Sequence, residues 1–469
     1  MSKTYAGARL RRLREERRMS QADLARVLAI SPSYLNQMEH DSRPLTVPVL
    51  LRLTEAFGVD PGFFSERDTS RLVADLREAL AGEVAEARVS ASDLAELASR
   101  MPAVAQVLLD LGRRGQLLAE RLAGADGDRE GVPGAVGPRS PHEEIREFFY
   151  RRQNYLHDID LAAEDLARAV RIRPGEVVRA LSARLADRHG VRTAADGESL
   201  HHYDDSARVL HLSSGLRPGQ QAFRMATQLA LLEHAAELDR LASEDFAVGS
   251  TAHGLARIGI ANYFAAALIL PYKAFHTAAE TFRYDIERLT DHFGIGYETV
   301  CHRLSTLQRP RLRGVPFSFV RVDRAGNMSK RQSATGFHFS RAGGTCPLWN
   351  VYEAFAAPGR FHVQVAAMPD GQRHLWTARA LTRRRGGWGQ PGKTFAIGLG
   401  CEIRHASRLV YSDGLDLDNA AAATPIGMGC RLCERLDCPQ RAVPPLGRPL
   451  AVDENTSTFV PYQVADRTE

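Results

Sequence analysis

The chain has 469 residues, 44% apolar and 25% charged, with a formal net charge of +5. This is an ordinary globular composition, long enough for two to four domains with cores of their own, and it excludes a polycation. The longest apolar run, Tyr263 to Leu270, stops at Pro271 and is too short to span a bilayer.

The N-terminus has no apolar stretch behind its charges, so no signal peptide is expected. All six cysteines lie at or beyond position 301. A secreted disulfide scaffold would spread them along the chain, so a reducing, cytoplasmic compartment is expected, with a local cysteine site and no membrane partner.

Residues 1–65 read as short helices with tight turns. Charge is concentrated at their start, where seven basic residues (Lys3, Arg9, Arg11, Arg12, Arg14, Arg17, Arg18) face Glu15 and Glu16. A local basic patch suits a phosphate backbone. A first helix over about 4–17 turns Leu10 and Leu13 inward. Ser20-Gln21-Ala22-Asp23 then starts a second helix, with the Ser20 hydroxyl on an N3 amide and Asp23 at the positive helix end. That helix carries Leu24, Ala25 and Leu28. Ser31 as N-cap and Pro32 at N1 start a third helix, running to Glu39. It buries Leu35 and Met38 and leaves Ser33, Tyr34, Asn36 and Gln37 outward.

Two short helices across a tight turn, the second exposing amides and hydroxyls, have the geometry that enters a major groove. Asn and Gln pair with adenine in bidentate fashion. Arg43, just past the helix, is placed to hold phosphate. The candidate DNA-contacting residues are Gln21, Ser31, Ser33, Tyr34, Asn36, Gln37 and Arg43. Gln21-Ala22-Asp23-Leu24-Ala25 followed by Ser31-Pro32-Ser33-Tyr34-Leu35-Asn36-Gln37-Met38-Glu39 resembles the xenobiotic-response-element (XRE) family of Cro/C1-type regulators. Leu45 to Phe57 supplies a further packing helix.

Residues 68–122 read as two helices broken near Met101-Pro102, a connector suited to dimerisation. Residues 123–141 are rich in Gly and Pro and read as a linker. Residues 142–315 read as mainly helical, with a strand pair near Val191 and Arg208–Ser213. Within them, QAFRMATQLALLE (221–233) and RIGIANYFAAALILP (257–271) resemble the zinc peptidases that cleave phage or stress repressors, the ImmA/IrrE family.

Those enzymes carry HExxH on one helix, which sets two histidines one turn apart and a glutamate as general base. Here the window reads Thr227-Gln228-Leu229-Ala230-Leu231, and the later acidic position falls near apolar Ile258. Neither His234 nor His253 restores the spacing. The resemblance therefore implies the fold without a catalytic site, and the emptied groove is a candidate ligand pocket or, alternatively, a scaffold or dimer surface. A repressor-cleaving metallopeptidase is thereby disfavoured. Ile295–Leu307 superficially suggests another helix-turn-helix but reads as core, with Cys301 a buried small apolar residue.

From about 316 to 469 the pattern turns to β: FSFVRV, GFHFS, RFHVQVAAM, HLWTARAL and KTFAIGLGCEI. Cys430, Cys433 and Cys438 place three thiols within nine residues. A C-x2-C knuckle with a third thiol nearby suits a soft metal centre, and Cys346 or Cys401 is the candidate fourth ligand. Iron–sulfur and structural zinc both fit such thiolates, and metal-free thiols, buried or redox-active, are the other reading.

The order of domains, with VPFSFVRVDRAGNMSKR, GGTCPLWNVYEAF, IGLGCE and CRLCERLDCPQRA, resembles the short-chain fatty acyl transcriptional regulators, actinobacterial regulators of acetate and propionate use through the glyoxylate or methylcitrate cycle. The resemblance implies a homodimeric DNA-binding regulator that is not an enzyme, with a double-stranded DNA operator, a short-chain acyl-CoA effector and, in some members, an iron–sulfur cluster. A redox-sensing iron–sulfur regulator is the alternative. Lys330, Arg331, Arg383, Arg384 and Arg385 are candidates to meet CoA phosphates, although for any one of them a solvated basic loop is the favoured reading. The expected fold is mainly α in the N-terminal and middle domains (helix-turn-helix, then a degenerate zincin-like α+β unit), followed by an α+β, β-rich C-terminal domain with a Cys metal loop.

Overall fold

The computed structural model describes residues 7–16, 19–40, 42–57, 67–79, 89, 91–102, 104–112, 115, 141–173, 175–197, 199–335, 337, 345–383, 389–390, 392–430, 433–445 and 450–464. Its contacts fall into two units: Met1–Val136 with Gly336–Gly343 and Met428–Glu469, and Gly137–Thr335 with Gly344–Gly427.

In the first unit, helices α1 (Gly7–Glu16), α2 (Gln21–Val27), α3 (Pro32–Glu39) and α4 (Val47–Phe57) enclose Leu10, Leu13, Leu24, Leu28, Leu35, Met38, Val49 and Leu53. Local chemistry sets their ends. The Ser20 hydroxyl accepts the Asp23 N–H at 3.1 Å, and the Ser31 hydroxyl accepts the Tyr34 N–H at 3.1 Å. Between α2 and α3 the chain reverses at Ala29, which adopts φ 49°. Gly7 is required where α1 meets α3, because a Cβ there would clash with the Met38 carbonyl.

Helices α5 (Arg67–Ala79) and α6 (Ala91–Arg100) follow, then a break at Met101-Pro102 and a helical stretch at 104–112. Leu76, Ala79, Leu94, Ala98, Ala105 and Leu109 form their shared core. The sequence reading placed one helix before the break, and there are two. Both carry Ala and Leu at helical spacing, so periodicity alone does not separate them. Of the expected linker, 123–140 lies outside the described residues, and Pro141 opens the next helix at N1.

The second unit runs through α7 (Pro141–Arg151), α8 (His157–Ala169), α9 (Val177–His189), α10 (Pro218–Glu233), α11 (Ala235–Ser243), α12 (Thr251–Ile269), α13 (Tyr272–Thr281), α14 (Ile286–Phe293) and α15 (Tyr297–Leu304). Between α9 and α10 lie β1 (Arg192–Ala194), β2 (His201–Asp204) and β3 (Val209–Leu212), in the order β1-β3-β2. The sequence pattern predicts two strands here; HHYD in β2 has no β-branched residue to signal a third. Central α12 is apolar nearly all round and mostly buried, as a helix packed on several sides must be. Among the described residues no single helix is long and apolar enough to cross a membrane; α12 and α13 pass such a test only jointly, across a 63° bend.

Six strands complete this unit: β4 (Ser318–Val322), β5 (Met328–Ser333), β6 (His362–Ala367), β7 (Arg373–Arg383), β8 (Lys393–Glu402) and β9 (Thr424–Pro425), in the order β5-β4-β8-β7-β6-β9. Phe317, Phe319, Leu375, Ile397, Leu399 and Cys401 join the same core as the helices, so position 315/316 lies inside one continuous hydrophobic core. Elsewhere on the sheet Trp376 pairs with Gly400 and lies across it, and any Cβ at Gly400 would enter the indole. Trp349 meets Trp376 edge-on at 4.7 Å. GFHFS, expected as a strand, lies outside the described residues except for Phe337, and β5 was not foreseen.

Candidate functional sites

Helix α3 presents Ser33 and Asn36 to solvent, with Ser31 exposed at its cap and Arg43 exposed beyond its end. Tyr34 and Gln37, read as outward, are half-buried. Tyr34 packs against the domain core, and the Arg43 guanidinium lies 5.5 Å from its ring centre. Gln21 on α2 donates to Asn36 Oδ1 at 3.2 Å and to Glu39 Oε2 at 2.7 Å. Glu39 is buried and takes Arg14 at 2.7 and 3.2 Å. A bridge from α1 through Glu39 to Gln21 thus orients Asn36. The sequence reading assigned Gln21 a DNA contact and missed Arg14 and Glu39. Their signal was a charged pair on otherwise apolar helix faces.

In the peptidase-like region, Thr227 on α10 donates to the Phe223 carbonyl at 2.9 Å, with Asn262 Oδ1 at 3.3 Å. Gln228 is buried, Leu231 half-buried, and Ile258 on α12 exposed. His234 faces Glu237 at 3.1 Å, and His253 faces Ser243 at 3.2 Å, so neither joins Thr227. Glu233 is no substitute base. Arg184 grips it with two bonds of 2.9 Å, and His189 lies 2.9 Å away. Burial alone would raise its pKa, but these partners hold it below the usual carboxylate range.

A cationic cluster gathers on Glu298 of α15. Arg321 reaches it at 2.8 Å, Arg383 at 2.9 Å and Lys330 at 3.6 Å. Arg321 and Lys330 are direct cross-strand partners, and Arg321 lies 4.7 Å over the Phe395 ring. Burial opposes the Glu298 charge and the three cations more than restore it, lowering its pKa. Three cations against one carboxylate leave two positive charges in excess. Arg331 instead pairs with Glu143 at 2.9 Å, and Arg384 and Arg385 lie outside the described residues.

The cysteines separate by environment. Cys301 is fully buried, and burial pushes its thiol up. Cys401 is equally buried on β8, its pKa pushed up to about 12 chiefly by burial. Cys346 is buried just before the short helix Asn350–Glu353. Cys430, Cys433 and Cys438 lie half-buried in an irregular loop of the first unit, whereas Cys346 and Cys401 belong to the second.

Buried Arg441 organises this loop. Its guanidinium donates to the carbonyls of Cys430 at 2.5 Å, Arg435 at 2.7 Å and Cys433 at 2.8 Å. The Ala442 N–H points to Cys430 Sγ at 3.4 Å, and Glu434 pairs with Arg77 of α5. Among the described residues, no three His, Cys, Asp or Glu side chains are assembled as a metal site.

Residues 6–62 match a helix-turn-helix domain, 186–305 an IrrE N-terminal-like domain, and 306–462 the C-terminal domain of short-chain fatty acyl coenzyme A regulators. The HTH-type transcriptional regulator RamB of Mycobacterium tuberculosis (strain H37Rv) is 56% identical over 99% of both chains. The chain belongs to the short-chain fatty acyl coenzyme A regulator family. PrpR of the same organism, also named an HTH-type transcriptional regulator, is 47% identical over 100% of this chain and 97% of its own. A propionyl-CoA carboxylase regulator of Cereibacter sphaeroides is 44% identical over 99% of both. A solved Mycobacterium tuberculosis transcriptional regulator superposes with a TM-score of 0.67 at 50% identity, covering 69% of this chain and 99% of that one.

As a member of this family the chain is a DNA-binding transcriptional regulator of short-chain fatty acid metabolism, not an enzyme. Thr227, Gln228 and Leu231 stand in its peptidase-like domain where catalysis would need His, Glu and His.

Proposed function

We propose that this regulator works in the cytoplasm as a homodimer on a double-stranded operator, and that a short-chain acyl-CoA sets its affinity for that operator. Arg321, Lys330 and Arg383 crowded on Glu298 carry the effector reading, because their excess positive charge suits a phosphate-bearing ligand. The relative named for propionyl-CoA carboxylase points to the propionyl thioester. Exposed Val104, Val107 and Leu111 recur at helical spacing on the stretch 104–112, and Met101 extends the stripe. That uncovered apolar face supports a dimer contact from the connector helices.

Cys430, Cys433 and Cys438 are proposed to hold one metal centre, an iron–sulfur cluster in preference to zinc. Three thiols on one loop, braced by Arg441, are a donor set suited to such a group, which when bound would supply the positive charge that keeps thiolates ionised. The test of the whole reading is a gel-shift titration of operator DNA with acetyl-CoA, propionyl-CoA and free CoA. A shifted midpoint with a thioester is expected; identical midpoints throughout would refute the effector.

A further inference from the structure

Two side chains on one face of α10 make no hydrogen bond or ion pair among the described residues. Gln228 is 5% exposed, yet its amide makes no hydrogen bond among the described residues. One turn earlier, half-buried Arg224 meets no carboxylate among the described residues; its recorded neighbour is the Phe223 ring, 5.8 Å from the guanidinium carbon. Burial and the nearby charge of Arg383 both lower the Arg224 pKa. Half-buried His201 on β2 feels burial first and Arg224 second, and its pKa is lowered too. Arg224 therefore lies within electrostatic reach of Arg383, which is paired to Glu298, and of His201, and takes no carboxylate of its own among the described residues.

The Gln228 amide and the Arg224 guanidinium therefore keep hydrogen-bonding capacity that no described side chain takes up, and that a ligand can use. Side chains four apart on a helix sit side by side, ~5–6 Å between Cβ atoms. Gln228 stands where the peptidases carry their base, beside Thr227, so the catalytic face survives with other chemistry. Arg224 offers a charged fork to a phosphate, and Gln228 offers a donor and an acceptor to an amide. A ligand matching both has a phosphate and, about one helical turn along, an amide. Phosphopantetheine has that arrangement, its first amide lying a short branched carbon chain from the phosphate.

We propose that Arg224 and Gln228 bind the phosphopantetheine arm of the CoA effector, with Arg224 on phosphate and Gln228 on the adjoining amide. This rests on the acyl-CoA reading above and adds to it that the former catalytic face grips the shared carrier rather than the acyl chain.

The experiment is calorimetric titration of the full chain and of Arg224→Gln, Arg224→Lys and Gln228→Leu with propionyl-CoA, free CoA and sodium propionate, alongside melting curves without ligand. Arg224→Gln and Gln228→Leu should each weaken propionyl-CoA and free CoA by the same factor, about tenfold or more, with Arg224→Lys intermediate. Both should melt no lower than wild type, because one removes a half-buried charge and the other an amide that makes no hydrogen bond among the described residues. Wild-type affinity in either variant overturns the assignment, and so does weaker binding accompanied by a lower melting temperature, which marks a structural role. Loss of propionyl-CoA with free CoA unaffected would place the pair at the acyl chain and also overturn it. If the wild-type chain binds neither CoA compound, the acyl-CoA reading itself fails; if it binds and the variants bind equally, only this inference does.

Discussion

Asp160 and Arg303 meet in the middle of the second unit, both side chains fully buried, at 2.7 and 3.2 Å across 143 residues of sequence. Arg309 adds a bond to Asp160 at 3.0 Å and one to Glu164 at 2.9 Å, and Tyr263 donates to Asp160 at 2.6 Å. Burial works against the Arg303 charge, and Asp160 more than compensates, so its pKa ends up raised. Asp160→Asn removes the counter-charge and leaves two guanidiniums poorly compensated. The expected loss is about 3–5 kcal/mol of stability in urea unfolding. A loss below 1 kcal/mol, on the scale of a surface pair, would show the network to be dispensable.

The α1–α2–α3 bridge predicts two different DNA phenotypes. Asn36→Ala removes an exposed amide and should cost about 1–3 kcal/mol at the cognate operator if that amide reads a base in bidentate fashion. Glu39→Gln leaves Asn36 in place but weakens the hold of Arg14 on the bridge. It should lower specific affinity less, and lower the melting temperature of the domain as well. Unchanged specific affinity of Asn36→Ala in a gel-shift titration would remove Asn36 from the reading surface.

The helix-turn-helix was legible because its information is local. Ser20 and Ser31 cap, Pro32 starts, and Leu35 and Met38 point inward, all within a few residues of chain. The loss of catalysis at Thr227-Gln228-Leu231 was legible for the same reason. Distant pairs were not. Nothing near Asp160 announces Arg303, and nothing near Glu298 announces Arg321 or Arg383, because such contacts depend on which helix face meets which strand. Lys330, Arg331 and Arg383 looked alike in sequence, yet Arg331 is paired to Glu143 while the other two share Glu298. Gln21 read as a base contact and proves to be bonded within the domain.

His374 on β7 should make stability pH-dependent. It is 1% exposed, and burial lowers its pKa to about 4. In the unfolded chain the imidazole takes a proton below pH ~6.5. Its share of stability is therefore complete above pH ~6.5 and is lost as pH falls toward 4, by about 1.4 kcal/mol per unit. His374→Gln removes this titration. The stability gap between wild type and variant should shrink by about 1 kcal/mol between pH 6.5 and 5.5 in denaturant unfolding. A gap independent of pH would mean that His374 takes up its proton as readily in the folded chain as in the unfolded one.

Glu298 acts as a built-in counter-anion in the cationic cluster. Glu298→Gln keeps the shape and removes the charge, leaving Arg321, Lys330 and Arg383 with no carboxylate at that point. Affinity for propionyl-CoA should rise several-fold at low salt and become more salt-dependent, since uncompensated cations attract a polyanion. Calorimetry at two ionic strengths checks this. Weaker binding in the variant would mean that Glu298 positions the cations for the ligand rather than competing with it.

The cysteine loop supplies the last test. Arg441 fixes the carbonyls of Cys430 and Cys433, and Glu434, next to Cys433, pairs with Arg77 on the connector helix α5. Metal capture by the three thiols would pull on a loop already tied to the helices that follow the DNA-reading domain. Burial raises the Cys433 pKa, partly offset by the Arg435 amide and by Arg441, so the thiol favours its protonated form until a cation is present. Cys433→Ala should therefore abolish co-purifying metal and change the effector-dependent operator affinity, while the helix-turn-helix keeps its fold by circular dichroism. Arg77→Ala should leave metal content intact yet weaken the coupling, because only the tie to α5 is cut. Anaerobically purified chain with neither iron nor zinc would end the metal reading. If Cys433→Ala keeps a full operator response to propionyl-CoA, the loop plays no part in signalling, and the response then belongs to the second unit, where the Glu298 cluster lies.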